Sequence, residues 1–571
     1  MRWVLPGTSQ PDVTALSSTL GLHPLAARVL AHRGYATAES ASAFLSDRLT
    51  DLPDPFLMKG LLLAVRRTCE AIKENQRITL YGDFDVDGVC STALLALFLR
   101  AIGGNVTTYI PHRIGEGYGL NLPAIEKLAE QGTRVLITLD CGTTSVAEVS
   151  KANDLGLDVI VVDHHSVPET LPPALALLNP HQPGCNYPTR HLCAAGVAFN
   201  FCIGLRKELR QQGFFEKRPE PNLRSMLDLV SLATIADVVP LTGANRILVT
   251  HGLEEIAAAN RPGIRALKEV AGVPAVGAVS SGQVGFRLGP RINAAGRLHD
   301  ASLGLQLLCA ETIEAARPLA QQLDAANVER QGIEHQILGE ALRQAEQGRH
   351  AKGLVLHSEV WHPGVIGIVA SRVVERFHRP TILIAMKDGV GRGSARSIDG
   401  FHLVSALQDC AAHLLKFGGH KQAAGLSIEA NRLPAFCEAF AAIAAEKLSD
   451  DDVVPRCRVD AVISLSELST EAAKGIETLG PFGSGNPEPV FASRDLSARS
   501  RVLPNKHEGR ASHLKLSFDS APHLDAIGFG MGDRMGLAAE RMDLAFQFSI
   551  DEWNGRQKLS LKLKDLRAAT S

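Results

Sequence analysis

The sequence predicts an α/β protein: a doubly wound parallel sheet, a long connector helix, a second and smaller α/β domain, and a C-terminal OB-like β-barrel. Three observations carry that prediction. From about residue 60 to 240, short β-rich runs alternate with helical stretches, the pattern of strand–helix–strand units. Apolar residues then recur at helical spacing through 311–348. After 451, short strands separated by turn residues take over.

A chain of 571 residues is too long for one core and divides into several domains. Residues 1–50 read as a helical lead-in, in which Pro24 opens a short helix through Ala26, Val29 and Leu30. The principal α/β domain spans 51–310, with strands at Ile78-Thr79-Leu80-Tyr81, Val135-Leu136-Ile137-Thr138-Leu139 and Val159-Ile160-Val161-Val162, and helices at 91–101 and 122–131. In the connector, 311–348, Leu319, Leu323, Ile333, Ile337 and Leu342 form an apolar stripe that Pro318 is expected to kink or restart. The second α/β domain, 349–450, has strands at 353–357 and 380–384 around a helix at 366–377. Glycine-containing turns are expected at 362–364, 391–397 and 418–420. The barrel, 451–571, has strands at 458–463, 513–518 and 559–563.

Composition narrows the function classes. Hydrophobic residues at 45% and charged residues at 21% are ordinary globular values. A net charge of −2 gives no global basic footprint, so any nucleic-acid contact has to be local. Ten scattered cysteines without a C-x-x-C pair suit a reducing compartment. With no signal-peptide pattern and no apolar run near membrane-span length, a soluble cytoplasmic protein away from the membrane is expected.

The densest chemistry is Asp83-Phe84-Asp85-Val86-Asp87-Gly88, directly after a strand. Three carboxylates this close repel unless cations neutralise them. Two other strands end similarly, in Asp140-Cys141-Gly142 and in Asp163-His164-His165. One acid after a strand is more often a helix N-cap than a ligand. Parallel strands, however, bring their carboxyl ends to one edge, where ligands bind. Carboxylates and imidazoles converging there read as a divalent-metal centre, and mixed N/O donors favour manganese, iron or cobalt. So many acids suit two ions about 3.5–4 Å apart, the arrangement that serves phosphoryl hydrolysis.

Local anion-binding features accompany the acids. Arg113 follows a strand at 106–110 and could enter the cleft. Arg291 and Arg297 bracket Asn293 in a glycine-containing segment, a spacing suited to bidentate phosphate contacts. The 391–397 segment, with Ser394 and Arg396, combines backbone N–H groups, hydroxyls and guanidinium. Gly418-Gly419-His420 permits close backbone approach. Phe482, Phe491, Phe518 and Trp553 lie among Lys506, Arg510, Lys515 and Arg556, a mixture that suits single strands, although most of the phenylalanines are expected in the core.

Tyr81-Gly82 with the 83–88 run, Asp140-Cys141-Gly142, Asp163-His164-His165 and Thr234-Ile235-Ala236-Asp237-Val238-Val239-Pro240 resemble, in order, the four motifs of the DHH phosphoesterase superfamily. The 289–297 segment and Phe417-Gly418-Gly419-His420 resemble its single-strand-specific DNA exonuclease branch, over nearly the whole chain. The resemblance implies a 5′-to-3′ exonuclease that uses two Mn2+ or Mg2+ ions to release 5′-mononucleotides during DNA repair and recombination. It also implies cooperation with a single-strand-binding protein and a helicase. By position it assigns Asp87, Asp140, His164 and Asp237 to one ion, and Asp83 and Asp85 to the other, with Asp140 as the bridge. Some superfamily members carry histidine at Tyr81, a ligand that Asp83 would replace. Asp163 would buttress a histidine, and His165 and Arg291 would join it as catalytic groups, His165 touching the phosphate. Arg113, Asn293, Arg297, Ser394, Arg396, Gly418, Gly419 and His420 would bind substrate, with Ser394 and Arg396 at a terminal 5′ phosphate. The alternatives are a phosphodiesterase for short oligonucleotides or cyclic dinucleotides, and a non-catalytic DNA-binding replication scaffold.

Overall fold

The computed structural model describes residues 1–7, 13–112, 116, 117, 119–298, 300–505, 512–538, 541–553 and 556–569, with side chains left aside at 552–557. The chain divides into two compact units: Met1–Val4 with Ala325–Cys457, and Leu5–Asp324 with Arg458–Ser571.

The larger unit is organised by a five-stranded sheet in the order Asn105–Tyr109, Arg77–Gly82, Thr133–Leu139, Asp158–Val162, Ala176–Leu178. All of its pairings are parallel. Alternate side chains feed opposite cores. Val135, Ile137 and Leu139 enter one cluster, while Leu136, Val159 and Val161 enter the other. Burial on both faces explains why these strands read as unbroken apolar runs rather than alternating ones. Helix Val86–Ala101 is buried along most of its length and packs on helices Ala194–Gln211 and Leu227–Ala236. It starts five residues before the helix expected at 91, because Asp85 caps it, and this places Asp87 in its first turn.

The C-terminal part of the same unit is a seven-stranded sheet. Its order is Ala461–Val462, Phe491–Leu496, Met542–Trp553, Arg556–Ala568, Ala521–Gly528, His513–Phe518, Arg499–Leu503. The expected barrel is thus OB-like but open, since among the described residues its edge strands do not pair with each other. Helices Pro24–His32 and Thr470–Glu477 cover its apolar face instead. Leu25, Val29 and Leu30 share one core with Ile476, Phe491 and Phe546. The lead-in helix is pinned there by the Arg33–Asp460 ion pair at 2.7 Å. Phe491 and Phe518 are core residues, as expected.

In the smaller unit a five-stranded sheet runs Lys416–Gly419, Ala423–Glu429, Val390–Arg396, Thr381–Lys387, Leu354–Ser358. The turn expected at 391–397 is therefore largely a strand. Its glycines serve cross-strand packing: a Cβ on Gly391 would meet Ile384 Cγ2 at 2.6 Å, and one on Gly393 would meet Leu426 Cδ1 at 2.7 Å. Helix Ile313–Gln347 runs from one unit into the other and continues through Pro318, which neither ends nor restarts it. Pro318 sits in the second turn, where it lacks the N–H that would bond to Glu314 C=O.

Candidate metal centre

Parallel pairing carries the acids to one edge. The residue after each strand still hydrogen-bonds to the neighbouring strand: Asp83 N–H to Leu139 C=O at 3.2 Å, Asp140 N–H to Val162 C=O at 3.0 Å, and Asp163 N–H to Leu178 C=O at 3.0 Å. Asp83, Asp140, Asp163 and Asn179 therefore follow four consecutive strand ends. Asp140 adopts φ 65°, in the left-handed region that non-glycine residues avoid, a distortion typical of functional loops.

Three of the acids are aimed by hydrogen-bonding partners. Asp85 Oδ1 accepts the N–H groups of Asp87 and Gly88 at 2.9 and 3.1 Å. Asp87 Oδ2 accepts the Ala194 N–H at 2.6 Å, and Oδ1 accepts the Ala195 N–H at 2.8 Å. Those donors open helix Ala194–Gln211, whose positive end favours a carboxylate. Asp163 accepts backbone N–H groups from Thr143, His164 and His165, and its Oδ1 lies 2.7 Å from His165 Nδ1.

Around them three groups of ligand-type atoms gather, each within 4.8 Å: Asp140, His164 and His165; Asp87, His164 and Asp237; and Asp83, Asp85 and Asp140. His164 Nε2 lies 3.2 Å from Asp140 Oδ1 and 3.6 Å from both Asp87 Oδ2 and Asp237 Oδ2. Asp140 and His164 each belong to two of these groups. All six expected ligands are thus brought together. Tyr81 is outside these groups, its hydroxyl donating to Gly119 C=O at 3.0 Å and accepting from Asn121 Nδ2.

The electrostatics suit cations. Burial, reinforced by neighbouring carboxylates, raises Asp140 well above the ordinary carboxylate range. Burial first, then Asp87 and Asp85, pushes Asp237 up to about 9. Burial also raises Asp87 and holds His164 below its usual value, as neutral ligand-competent imidazole. Burial opposes the Asp163 charge, but hydrogen bonds from His165 and Thr143 prevail and hold it well below the usual range. Protonated acids crowded beside a neutral histidine form a donor set that a divalent ion would deprotonate and stabilise.

The expected substrate groups fall in different places. Arg113 lies outside the described residues, as do Lys506 and Arg510 and the side chains of Trp553 and Arg556. Asn293 Oδ1 accepts the Val86 N–H at 3.1 Å, and a Cβ on Gly296 would stand 2.3 Å from Phe84 C=O. The 289–297 segment is thus packed against the acidic loop. Arg291, expected among the catalytic groups, is instead tethered to the protein. Its Nε donates to Asp324 at 2.8 Å and its Nη1 to Arg287 C=O at 2.6 Å. A charge-assisted bond at a side chain only 15% exposed explains that placement. Arg297 is half-buried on the same helix.

In the smaller unit, Arg396 Nη1 donates to Ser394 Oγ at 3.2 Å. Both side chains face the first turn of helix Ile366–Phe377, where a Cβ on Gly367 would lie 2.8 Å from Ser394 Oγ and 3.2 Å from Arg396 Nη2. The turn expected at 418–420 is mostly strand: Gly418 and Gly419 end strand Lys416–Gly419, paired with Gly425 and Ala424, with Gly419 at φ 140°, and His420 follows it, its N–H donating to Ala423 C=O at 2.8 Å. Lys515 pairs with Asp525 at 3.1 Å.

Sequence reasoning missed Asn179, which is fully buried. Its amide donates to Thr143 Oγ1 at 3.0 Å and His165 C=O at 2.8 Å, tying two acidic loops together. Its position at a fourth strand end was the available signal.

Comparison with known proteins gives these observations a family. Residues 77–234 match the DHH family N-terminal domain, 350–446 the DHHA1 domain and 459–565 the RecJ OB domain. The single-stranded-DNA-specific exonuclease RecJ of Dickeya dadantii is 40% identical over 564 residues, covering 95% of this chain and 96% of that one. The Escherichia coli protein of the same name is 38% identical over 565 residues, with 95% and 96% covered. The structure of Thermus thermophilus RecJ in complex with Mn2+ superimposes with a TM-score of 0.85 at 32% identity, covering all of this chain and 80% of that one. The chain belongs to the RecJ family of the DHH superfamily.

Proposed function

We propose that this protein is a metal-dependent exonuclease that degrades single-stranded DNA from the 5′ end and releases 5′-mononucleotides in DNA repair and recombination. One observation carries the reading: Asp140 and His164 each join two overlapping groups of ligand-type atoms at the carboxyl edge of a parallel sheet. The RecJ relatives named as single-stranded-DNA-specific exonucleases supply the polymer substrate.

Asp87, Asp140, His164 and Asp237 would hold one Mn2+ or Mg2+, and Asp83 and Asp85 a second, with Asp140 shared. When bound, such ions lower the pKa of water and offset charge on the scissile phosphate. The chain does the rest. Asp85, capping its helix, and Asp87, held by Ala194 and Ala195, keep fixed orientations as the centre fills. Asp163 keeps His165 cationic at neutral pH, and we assign Nε2 of that ring to a phosphate oxygen, Nδ1 being engaged by Asp163. Asn293 holds the acidic loop in place through Val86. Arg113 and Arg297 supply backbone phosphate contacts. Ser394 and Arg396, beside a helix N-terminus, would receive the terminal 5′ phosphate, with 418–420 supporting the strand. In the cell, a cytoplasmic single-strand-binding protein and a helicase would present the substrate.

Digestion of 5′- and 3′-labelled single- and double-stranded DNA with Mn2+ or Mg2+ tests the proposal. Mononucleotides from the 5′ end of single strands, lost on Asp140→Ala in a folded protein, are expected. Full activity in that variant, or preference for dinucleotides over long strands, would overturn it.

A further inference from the structure

Asp237 is held differently from its neighbours. Asp85, Asp87 and Asp163 all accept backbone N–H groups. Among the described residues no hydrogen bond steadies the Asp237 carboxylate, which pairs with His164 Nε2 at 3.6 Å. Its position depends on its backbone. Helix Leu227–Ala236 ends there, and Val238 turns into the left-handed region at φ 58°, costly for a β-branched residue. Val238 is 66% exposed, so packing of its own side chain does not hold it in that conformation. Strained backbone of this kind persists only where its surroundings over-determine it.

The surroundings come from the far end of the chain. The Leu241 N–H donates to Ser484 C=O at 2.8 Å. A Cβ on Gly485 would stand 2.8 Å from Pro240 Cβ, and one on Gly483 would stand 2.8 Å from Leu241 Cδ1, so the 483–486 turn lies flat against the Asp237 loop. Asn245 completes the grip by donating to Pro240 C=O at 3.0 Å. The turn is itself rigidly built. Gly483 and Asn486 exchange backbone hydrogen bonds at 2.9 and 3.2 Å. The buried Asn486 amide donates to Leu479 C=O at 2.8 Å and Pro481 C=O at 3.0 Å, and accepts from Arg33 Nη1 at 2.9 Å. Arg246 donates to Leu479 C=O at 2.8 Å.

We infer that the 483–486 turn is a positioning element of the metal centre. It sets the Asp237 loop so that this carboxylate completes the cation site, which makes the C-terminal region part of the catalytic apparatus. The inference rests on Asp237 being a ligand, as proposed above.

The test uses full-length protein and Mn2+ alone, with free ion read by electron paramagnetic resonance, beside the Mn2+ dependence of single-strand digestion. Gly485→Ala should weaken Mn2+ binding about tenfold or more, as loss of outer support does elsewhere, while KM for DNA stays within about twofold and saturating Mn2+ restores the rate. Gly483→Ala should shift binding less in the same direction, because it meets only the tip of the Leu241 side chain. It keeps the test decisive if Gly485→Ala does not fold. Unchanged Mn2+ affinity in both glycine variants, with affinity lost in Asp237→Asn, would overturn the inference and leave the ligand assignment intact. Unchanged affinity in Asp237→Asn would remove the ligand assignment and the inference together.

Discussion

The Asp163 carboxylate lies 2.7 Å from Nδ1 of His165 while accepting the backbone N–H groups of Thr143, His164 and His165. One buried acid thereby orders two loops and sets the charge of a neighbouring ring. Burial alone would lower the His165 value, but the hydrogen bond and charge of Asp163 outweigh it and push the ring up to about 9.

That pair predicts a pH profile. In Asp163→Asn, His165 loses the hydrogen bond and charge that raise it, so the basic limb of the rate profile moves to lower pH. Initial rates on 5′-labelled single-stranded DNA from pH 5 to about 10 measure this. An unmoved basic limb would show that His165 does not act as a cation.

Stability without metal should also depend on pH. Asp237, pushed up to about 9 chiefly by burial, binds more protons folded than unfolded above the ordinary carboxylate value, as do the raised Asp87 and Asp140. Folding stability therefore falls as pH rises through that window. His165 acts in the same direction: its contribution is complete below the ordinary histidine value and is lost as pH climbs through about 9. His164, held low by burial, opposes them as pH rises through the histidine range. Metal-free melting temperature should fall between about pH 4 and about 9, and Mn2+ should flatten or reverse the trend. Thermal melts in chelated and Mn2+-supplemented buffers decide it.

Asn293 and Gly296 support the acidic loop from outside. Asn293→Ala should lower kcat by about 10- to 100-fold with KM for DNA nearly unchanged, because the Val86 N–H loses its acceptor. A rise in KM alone would return Asn293 to substrate binding. Gly296→Ala should destabilise the protein by about 1–3 kcal/mol, since the new methyl meets Phe84 C=O and the loop has to move. Steady-state kinetics and denaturant unfolding separate the two effects.

Ser394 and Arg396 predict end recognition. Arg396→Ala should reduce the preference for 5′-phosphorylated over 5′-hydroxyl single strands by roughly tenfold or more, the worth of one charge-assisted phosphate contact. Competition between the two substrates measures it. An unchanged preference would place the terminal-phosphate site elsewhere.

Much of the centre was legible in the linear order of residues. Acidic runs directly after apolar strands announce convergence, because parallel pairing leaves few other arrangements for strand ends. The glycines at 391 and 393 misled, since the same residue that permits a turn also permits a neighbour's side chain to cross a strand. Asn293 and Arg291 share one helix and one composition, yet one supports the acidic loop and the other an ion pair with Asp324. Spacing along a helix cannot state which neighbour each face will meet.

Residue order alone determined the alternating strands and helices and which strand-end acids would meet, because both follow from local periodicity and the polarity of a parallel sheet; Asp237, which follows a helix, was expected there only through the resemblance to the DHH motifs. Only the tertiary structure decided which groups hold those acids: the Ala194 and Ala195 amides under Asp87, Asn179 between two loops, and the 483–486 turn behind Asp237. Those supports are mostly backbone groups, chemically alike at every residue, and folding alone brings a particular one within reach.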